Sequence, residues 1–263
     1  MFTTIPASIP VTLSDRLPVP HAFTTRAGGV STGPYASLNF RSNAGDPQEN
    51  VTENMARLAA CFGVGRDDCV VTKQVHGNVV RIVSREDRHI CGSVTPYEAD
   101  GLVTNVPGLP LCCFTADCVP VLLADSVHGV VAAVHCGWRS SVADILGIAV
   151  EKMCCLGAEP ADIFGAIGPA LGSCCFETHR DVPDAIDGWL GAGHGCYREI
   201  GGGKYLVDLK RANFLRLRSL GVPEENLDIS PECTFCSHEK YWSHRFTAGI
   251  RGVQCAAIQL PPC

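Results

Sequence analysis

Leu109-Pro-Leu-Cys-Cys-Phe-Thr-Ala-Asp-Cys-Val-Pro-Val-Leu-Leu-Ala-Asp-Ser-Val-His-Gly-Val-Val-Ala-Ala-Val-His135 is the stretch on which the fold turns. It contains three strand-like apolar runs, Leu109–Thr115, Val119–Leu123 and Gly129–His135. The connections between them are only a few residues long. A parallel crossover needs a dozen residues or more, so these strands are expected to be antiparallel. Downstream, Ile145, Leu146, Ala149, Val150 and Met153 hold helical spacing within a helix expected from about Ser141 to Leu156, stopped by Gly157. Ile163–Ile167 reads as a strand, Asp208 as the cap of a helix running to Leu220, and Gly249–Leu260 as mostly strand. Upstream, Val79–Val83 and His21–Thr25 read as strands. Arg26 to Tyr35 is a glycine-rich loop, and Asp46-Pro47 opens a helix carrying Val51, Met55, Leu58, Ala59 and Phe62. Helices and antiparallel runs alternate along the whole length. The pattern predicts an α+β chain forming one domain over residues 1–263. No glycine motif of the Rossmann or P-loop kind sits at a strand–helix junction.

The 263 residues are 46% hydrophobic and 18% charged, an ordinary globular composition with room for a large core. A net charge of -6 argues against a nucleic-acid-binding face. No apolar run reaches the roughly 18 residues of a membrane span. The N-terminal residues lack the basic and apolar regions of a secretory leader. The expectation is a cytoplasmic protein that binds neither nucleic acid nor membrane. Sixteen cysteines are many for this length, and three pairs are adjacent: Cys112-Cys113, Cys154-Cys155 and Cys174-Cys175. Disulfides are not expected in that compartment, so most of these thiols should be small buried hydrophobes.

Cys118 stands apart, lying between two apolar runs in Thr115-Ala-Asp-Cys118. His135 ends the most apolar run, in Val134-His-Cys-Gly-Trp-Arg139, and His76 lies in Gln74-Val-His-Gly77. Two imidazoles and one thiolate suit zinc, and three protein ligands leave the open position of a catalytic site. A cysteine with a histidine in reach is also a nucleophile–base pair. The residues alone leave both readings open. Arg139, at the start of the expected helix, and Arg26, beside the glycine loop, are candidate anion sites. Cys233-Thr-Phe-Cys236, with His238 and His244 nearby, is a weak second metal motif, since one Cys-x-x-Cys lacks a partner pair. Cys175, after the turn at Gly168-Pro169, is placed to line the same pocket as Cys118.

Taken together these motifs resemble the laccase-domain, YfiH-type family, also described as polyphenol oxidase-like and as peptidoglycan editing factor. The resemblance runs nearly end to end. It rests on Phe23-Thr-Thr-Arg-Ala-Gly-Gly-Val-Ser31, Gln74-Val-His-Gly77, Thr115-Ala-Asp-Cys-Val-Pro120, His135-x-Gly-Trp-Arg139, Ile167-Gly-Pro169, Cys175-Phe-Glu177 and Cys233-Thr-x-Cys236. It implies a mixed α/β sandwich shared distantly with the deamidase domain of cytotoxic necrotizing factors, in which a Cys and a His are the catalytic pair. It implies zinc on His76, Cys118 and His135. Catalysis would involve Cys118, His135, Asp117 and Arg26, and Arg139, Asn39, Gln74, Cys175 and Arg245 would contact substrate or phosphate. The implied activities are phosphorolysis of purine nucleosides (adenosine, inosine, guanosine, methylthioadenosine) and deamination of adenosine, by a monomer or homodimer. Amide hydrolysis in cell-wall precursor editing, by zinc or by a Cys–His pair, is the alternative. A copper oxidase is the reading least supported by the residues. A blue-copper centre adds a weak methionine ligand, and the chain has three Met and no His-x-His among nine His. The chain departs from the family pattern at Arg41 (usually Gly), Cys136 (usually Ala), Phe176 (usually Tyr) and Ser243-His-Arg-Phe246, where two adjacent arginines are usual.

Overall fold

The computed structural model describes residues 1–5, 9–42, 44–88 and 97–262. Fourteen strands are formed among them: β1 Phe2–Ile5, β2 Val11–Ser14, β3 His21–Thr24, β4 Val80–Ile82, β5 Gly101–Thr104, β6 Leu111–Thr115, β7 Val119–Asp125, β8 Val130–Cys136, β9 Phe164–Ile167, β10 Glu177–Thr178, β11 Tyr197–Gly201, β12 Lys204–Val207, β13 Leu227–Ile229 and β14 Gln254–Ile258. The helices are α1 Gln48–Cys61, α2 Trp138–Val142, α3 Ile145–Cys155, α4 Asp181–Leu190, α5 Leu209–Ser219 and α6 His244–Thr247. One sheet has the order β1-β2-β3-β14-β6 and a second the order β13-β9-β7-β8-β5-β4, with a small third sheet β10-β12-β11. The α+β class and the mixed sandwich are as expected.

Alternate residues of β7 and β8 face different cores. Leu122, Ala124, Val131 and Ala133 meet Leu111, Cys113, Ala256 and Ile258 of the other sheet in the interlayer core. Val119, Val121, Leu123, Ala132 and Val134 pack instead beneath Leu146, Val150, Met153 and Leu217 of α3 and α5. A strand buried on both faces has no polar alternation to show, which is why this stretch reads as one apolar block. The outer face of the five-stranded sheet, with Cys112, Cys255 and Ala257, is covered by Met55 and Leu58 of α1.

Two expectations are corrected. β7 and β8 form the antiparallel hairpin, but the first run does not join them. β6 pairs antiparallel with β14 in the opposite sheet. The segment Ala116-Asp117-Cys118 therefore carries the chain from one layer to the other, with Asp117 at a left-handed φ of 87°. The single helix expected from Ser141 is two helices that begin at Trp138. Asp144, at φ 62°, separates them. Its carboxylate accepts from Arg216 Nε at 2.6 Å and Nη2 at 2.5 Å and from Trp189 Nε1 at 3.2 Å. That triple anchor holds the backbone off the helical path. By contrast, Asp208 does cap α5, accepting from Arg211 N at 2.9 Å. No helix among the described residues is long and apolar enough to cross a membrane.

Candidate metal centre

The centre is organised by a residue that carries no motif. Asp100 is buried at the start of β5 and is 2% exposed. Its Oδ2 accepts from Val75 N at 3.1 Å and Gly77 N at 2.8 Å, and its Oδ1 from His76 N at 3.0 Å. Three successive backbone donors thus wrap one carboxylate and force the turn that puts His76 at φ 61°. The same Oδ1 accepts from His135 Nδ1 at 2.8 Å, and His135 N donates to the Asp100 carbonyl at 2.7 Å. With Nδ1 so engaged, His135 presents Nε2, the arrangement in which carboxylates orient metal-binding imidazoles.

His135 comes from the end of β8, and Cys118 from the crossing between the sheets. The His76 and His135 rings meet edge-on with centroids 4.8 Å apart. Cys118 Sγ lies 3.7 Å from His76 Nε2. The ligand atoms of His76, Cys118 and His135 all fall within 4.8 Å of one another. Tetrahedral zinc would set its sulfur and nitrogen ligands about 3.6 Å apart, a spacing that the Cys118–His76 pair already has and that the whole set is near. Gly137 makes room. A Cβ there would stand 3.0 Å from His76 Cδ2 and 3.6 Å from Cys118 Sγ.

The ionisation states follow from the same contacts. Burial opposes ionisation of the Cys118 thiol, but the charge and hydrogen bond of His135, helped by His76, bring it down to about 6. Burial also works against a charged His135. The Cys118 thiolate and the Asp100 carboxylate overcome it and raise His135 to about 9. Asp100 likewise resists burial through its bond to His135 and its backbone donors, which hold it below its ordinary value.

The three ligands sit beside a cavity of about 300 Å³. His76 and Cys118 line one end, while Trp138, Leu171, Phe176 and Leu209 form apolar walls. Asp117, His244, Arg245 and Arg251 complete the lining. The Asp117 carboxylate accepts from Thr234 Oγ1 and from Arg245 N, both at 2.6 Å. The Arg245 guanidinium donates to the Glu177 carbonyl at 3.1 and 3.2 Å. Arg251 is partly buried, with Arg41 close enough to act on it electrostatically. Its Nε is buried without a hydrogen-bond partner.

Several expected site residues lie outside this lining. Gln74 uses both ends of its amide on Phe114, donating to its carbonyl and accepting from its N–H, each at 2.7 Å. Asn39 is buried, donating to Asp46 Oδ2 at 2.7 Å and accepting from Arg41 N at 2.8 Å. Arg26 donates to the carbonyls of His238 and Ala36 at 2.9 and 3.0 Å and lies 4.1 Å over the Trp242 ring. Arg139 stacks 4.3 Å from the Trp138 ring centroid. In each case a polar side chain satisfies neighbouring backbone or packs on an aromatic ring. Cys175 joins Cys174, Cys233 and Cys236, away from Cys118, and His238 and His244 are not part of that group. Cys136 is fully buried, and burial, then the nearby Cys118 and Asp100 charges, keep its thiol protonated. Asp100 and the apolar wall residues Leu171 and Leu209 are site residues that sequence reasoning did not select. Asp100 left only a faint signal, an acid set between Ala99 and Gly101 at the head of an apolar strand.

Comparison with known proteins agrees over nearly the whole chain. Residues 20–261 match the family model described as multi-copper polyphenol oxidoreductase laccase. A protein of Deinococcus radiodurans named purine nucleoside phosphorylase is 40% identical over 253 residues, covering 96% of this chain and 94% of the relative. Purine nucleoside phosphorylase YlmD of Geobacillus stearothermophilus is 35% identical, over 89% of this chain and 88% of its own. The crystal structure of that YlmD superposes with a TM-score of 0.93 at 33% identity, covering 99% and 98% of the two chains. Bacillus licheniformis YfiH superposes at 0.92 and 32% identity, over 98% of each. The chain is thus a member of the laccase-like, YfiH-type family to which its motifs pointed.

Proposed function

We propose that this protein is a zinc-dependent purine nucleoside phosphorylase that also deaminates adenosine. The observation that carries the reading is a single cavity with an open set of soft ligands at one end and two arginines in its lining. The names of the relatives at 32–40% identity support its phosphorylase part.

His76, Cys118 and His135 would hold zinc, which supplies a Lewis acid at that end of the cavity. Trp138, Leu171, Phe176 and Leu209 offer apolar walls to a purine and exclude water from it. Arg251, desolvated and with Nε unpaired, and Arg245 offer charge-assisted hydrogen bonds to phosphate. A phosphate oxygen then bonds to C1′ of the ribose as the bond from C1′ to the base nitrogen breaks. The leaving base takes up the proton that the attacking phosphate gives up, and Asp117 is the group we assign to carry it across. Thr234 and the Arg245 N–H fix where that carboxyl points. Holding phosphate and ribose in line lets positioning do most of the work.

A Cys118–His135 hydrolase is the second reading, favoured by the thiolate and imidazolium that the two residues form when no metal is bound. It needs only one histidine, whereas His76 and His135 both converge on the sulfur. The copper oxidase finds less support. Met55 and Met153 are buried in the cores, and no methionine lines the cavity.

A panel of adenosine, inosine, guanosine and methylthioadenosine, assayed with and without phosphate, tests the proposal. Free base should appear only with phosphate, and ammonia only from adenosine. Base release that ignores phosphate would replace phosphorolysis by hydrolysis. Cys118→Ala should remove metal and activity together, and lost activity with full metal content would favour the nucleophile.

A further inference from the structure

Cys174 and Cys175 follow β9 in a tight turn, with Cys175 N and Phe176 N both donating to the Gly172 carbonyl at 2.9 Å. Cys233 and Cys236 lie about sixty residues further on in the Cys-Thr-Phe-Cys segment. An isolated parallel bridge between Ala170 and Cys233 ties the two segments together. The four Sγ atoms lie within 4.8 Å of one another. Cys236 Sγ is 3.7 Å from that of Cys174 and 3.4 Å from that of Cys175. All four are free thiols. Four sulfurs around tetrahedral zinc stand about 3.8 Å apart, from a bond of about 2.3 Å. The cluster is close to that size already.

Its surroundings are those of a metal knuckle. Cys233 Sγ accepts from Gly172 N at 3.2 Å, and the backbone N–H groups of Phe235 and Cys236 also point to it. Donors of this kind orient a thiolate and share its charge. Gly172 eases the approach, since a Cβ there would crowd Cys233 Cβ at 3.1 Å and Cys174 Sγ at 3.3 Å. Buried Lys210, held by the carbonyls of Ser230 and Glu232 at 2.6 and 3.0 Å, supplies positive charge within electrostatic reach of Cys233 and Cys174. A lone Cys-x-x-Cys is a weak motif, but here the fold provides the second pair.

We propose that Cys174, Cys175, Cys233 and Cys236 bind a second zinc ion, in a closed site separate from the three-ligand centre. Four protein thiolates leave no open position, so the site is structural. Binding replaces the thiol protons with four S–Zn bonds and releases those protons to solvent, with no change of oxidation state. Its location gives it a task. Leu171 and Phe176 on one bound segment form cavity wall, and the other segment leads into His244 and Arg245. The ion therefore fastens together two sides of the substrate cavity.

The test counts metal in protein purified under reducing, anaerobic conditions and supplied with zinc alone. Native mass spectrometry should show two zinc ions per wild-type chain. The His76→Ala/Cys118→Ala variant, stripped of the first centre, should keep one. Loaded with cobalt, that variant should show a thiolate-to-cobalt charge-transfer band about four times as intense as a one-thiolate centre gives. Cys174→Ser/Cys236→Ser should lose that ion alone, and kcat/KM should fall about 10-fold as the cavity walls loosen. If the His76→Ala/Cys118→Ala variant holds no metal, or if the wild type has lost two hydrogens to a disulfide and holds one zinc, the proposal is overturned. This count stands whether or not the serine variant folds. It is also independent of whether nucleosides prove to be the substrates.

Discussion

His76, Cys118 and His135 and the group Cys174, Cys175, Cys233 and Cys236 are both soft-ligand clusters beside one cavity, yet they handle charge in opposite ways. The first group offsets one thiolate with two imidazoles over a buried carboxylate, so Cys118 ionises at about 6 without help from a metal. The second offers four sulfurs to one another. Burial, and then hydrogen bonding among the thiols, push Cys175 far up, and Cys174 is raised as well. Cys233 is lowered, because backbone donors from Cys236 and Gly172 outweigh its burial. The lesson is that a preorganised, charge-balanced set of ligands can be left open for chemistry. A set of like ligands gains its charge balance only from the cation it binds, and suits a fastening.

The comparison can be broken most decisively at the first centre. Cys118→Ala or His135→Ala should empty it and lower phosphorolysis by about 10²-fold or more, while metal analysis still finds the four-cysteine ion. Loss of both ions together would show that the clusters are not independent. Asp100→Asn comes next. Zinc affinity at the first centre, measured by competition with a chromophoric chelator, should weaken about 10- to 100-fold, and unchanged affinity would remove Asp100 from its orienting role. Arg251→Gln should raise the phosphate KM about 10-fold, as expected for one lost charge-assisted bond, with metal content unaltered. An equal rise in the nucleoside KM would move Arg251 away from phosphate.

The smallest effect is the pH dependence of metal-free stability. The folded pKa of Cys118 is depressed, so its contribution is complete above the ordinary thiol value and disappears as pH falls through about 6. That of His135 is raised, so its contribution is complete below the ordinary imidazole value and disappears as pH rises through about 9. The thermal midpoint of metal-free protein should therefore be highest between these limits. Cys118→Ser should flatten the profile, and Cys174→Ser should not.

How much of this the sequence displays depends on the range of the interactions involved. β7, β8 and α5 were legible because each rests on local spacing, whereas His76, Cys118 and His135 are spread over about sixty residues and only the family resemblance joins them into one set. The partner of β6 was not, because β14 lies more than a hundred residues away and no local pattern encodes that register. The break in the helix at Asp144 depends on Arg216, 72 residues on. α4 and the β11–β12 hairpin were passed over, although Gly201-Gly202-Gly203, all at positive φ, mark its turn. Gln74 and Asn39 were expected to contact substrate and Arg26 to act in catalysis, but the structure engages them with neighbouring backbone, with Asp46 and with the Trp242 ring, and residue type alone does not distinguish a buried brace from a substrate contact.

The crossing at Ala116–Cys118 ties the chemistry to the mechanics of the sandwich. Cys118 ends the crossing that begins after β6 of the five-stranded sheet and stands directly before Val119 of β7, which pairs with Cys136 at the end of β8, next to His135. One hairpin end thus sets both the sulfur and the His135 imidazole, and the crossing ties the sulfur's side of it to the five-stranded sheet. Repacking Leu122, Ala133 or Ala256 deep between the two sheets would retune metal affinity from a distance. The centre acts as a gauge of the interlayer core as well as a place for reaction.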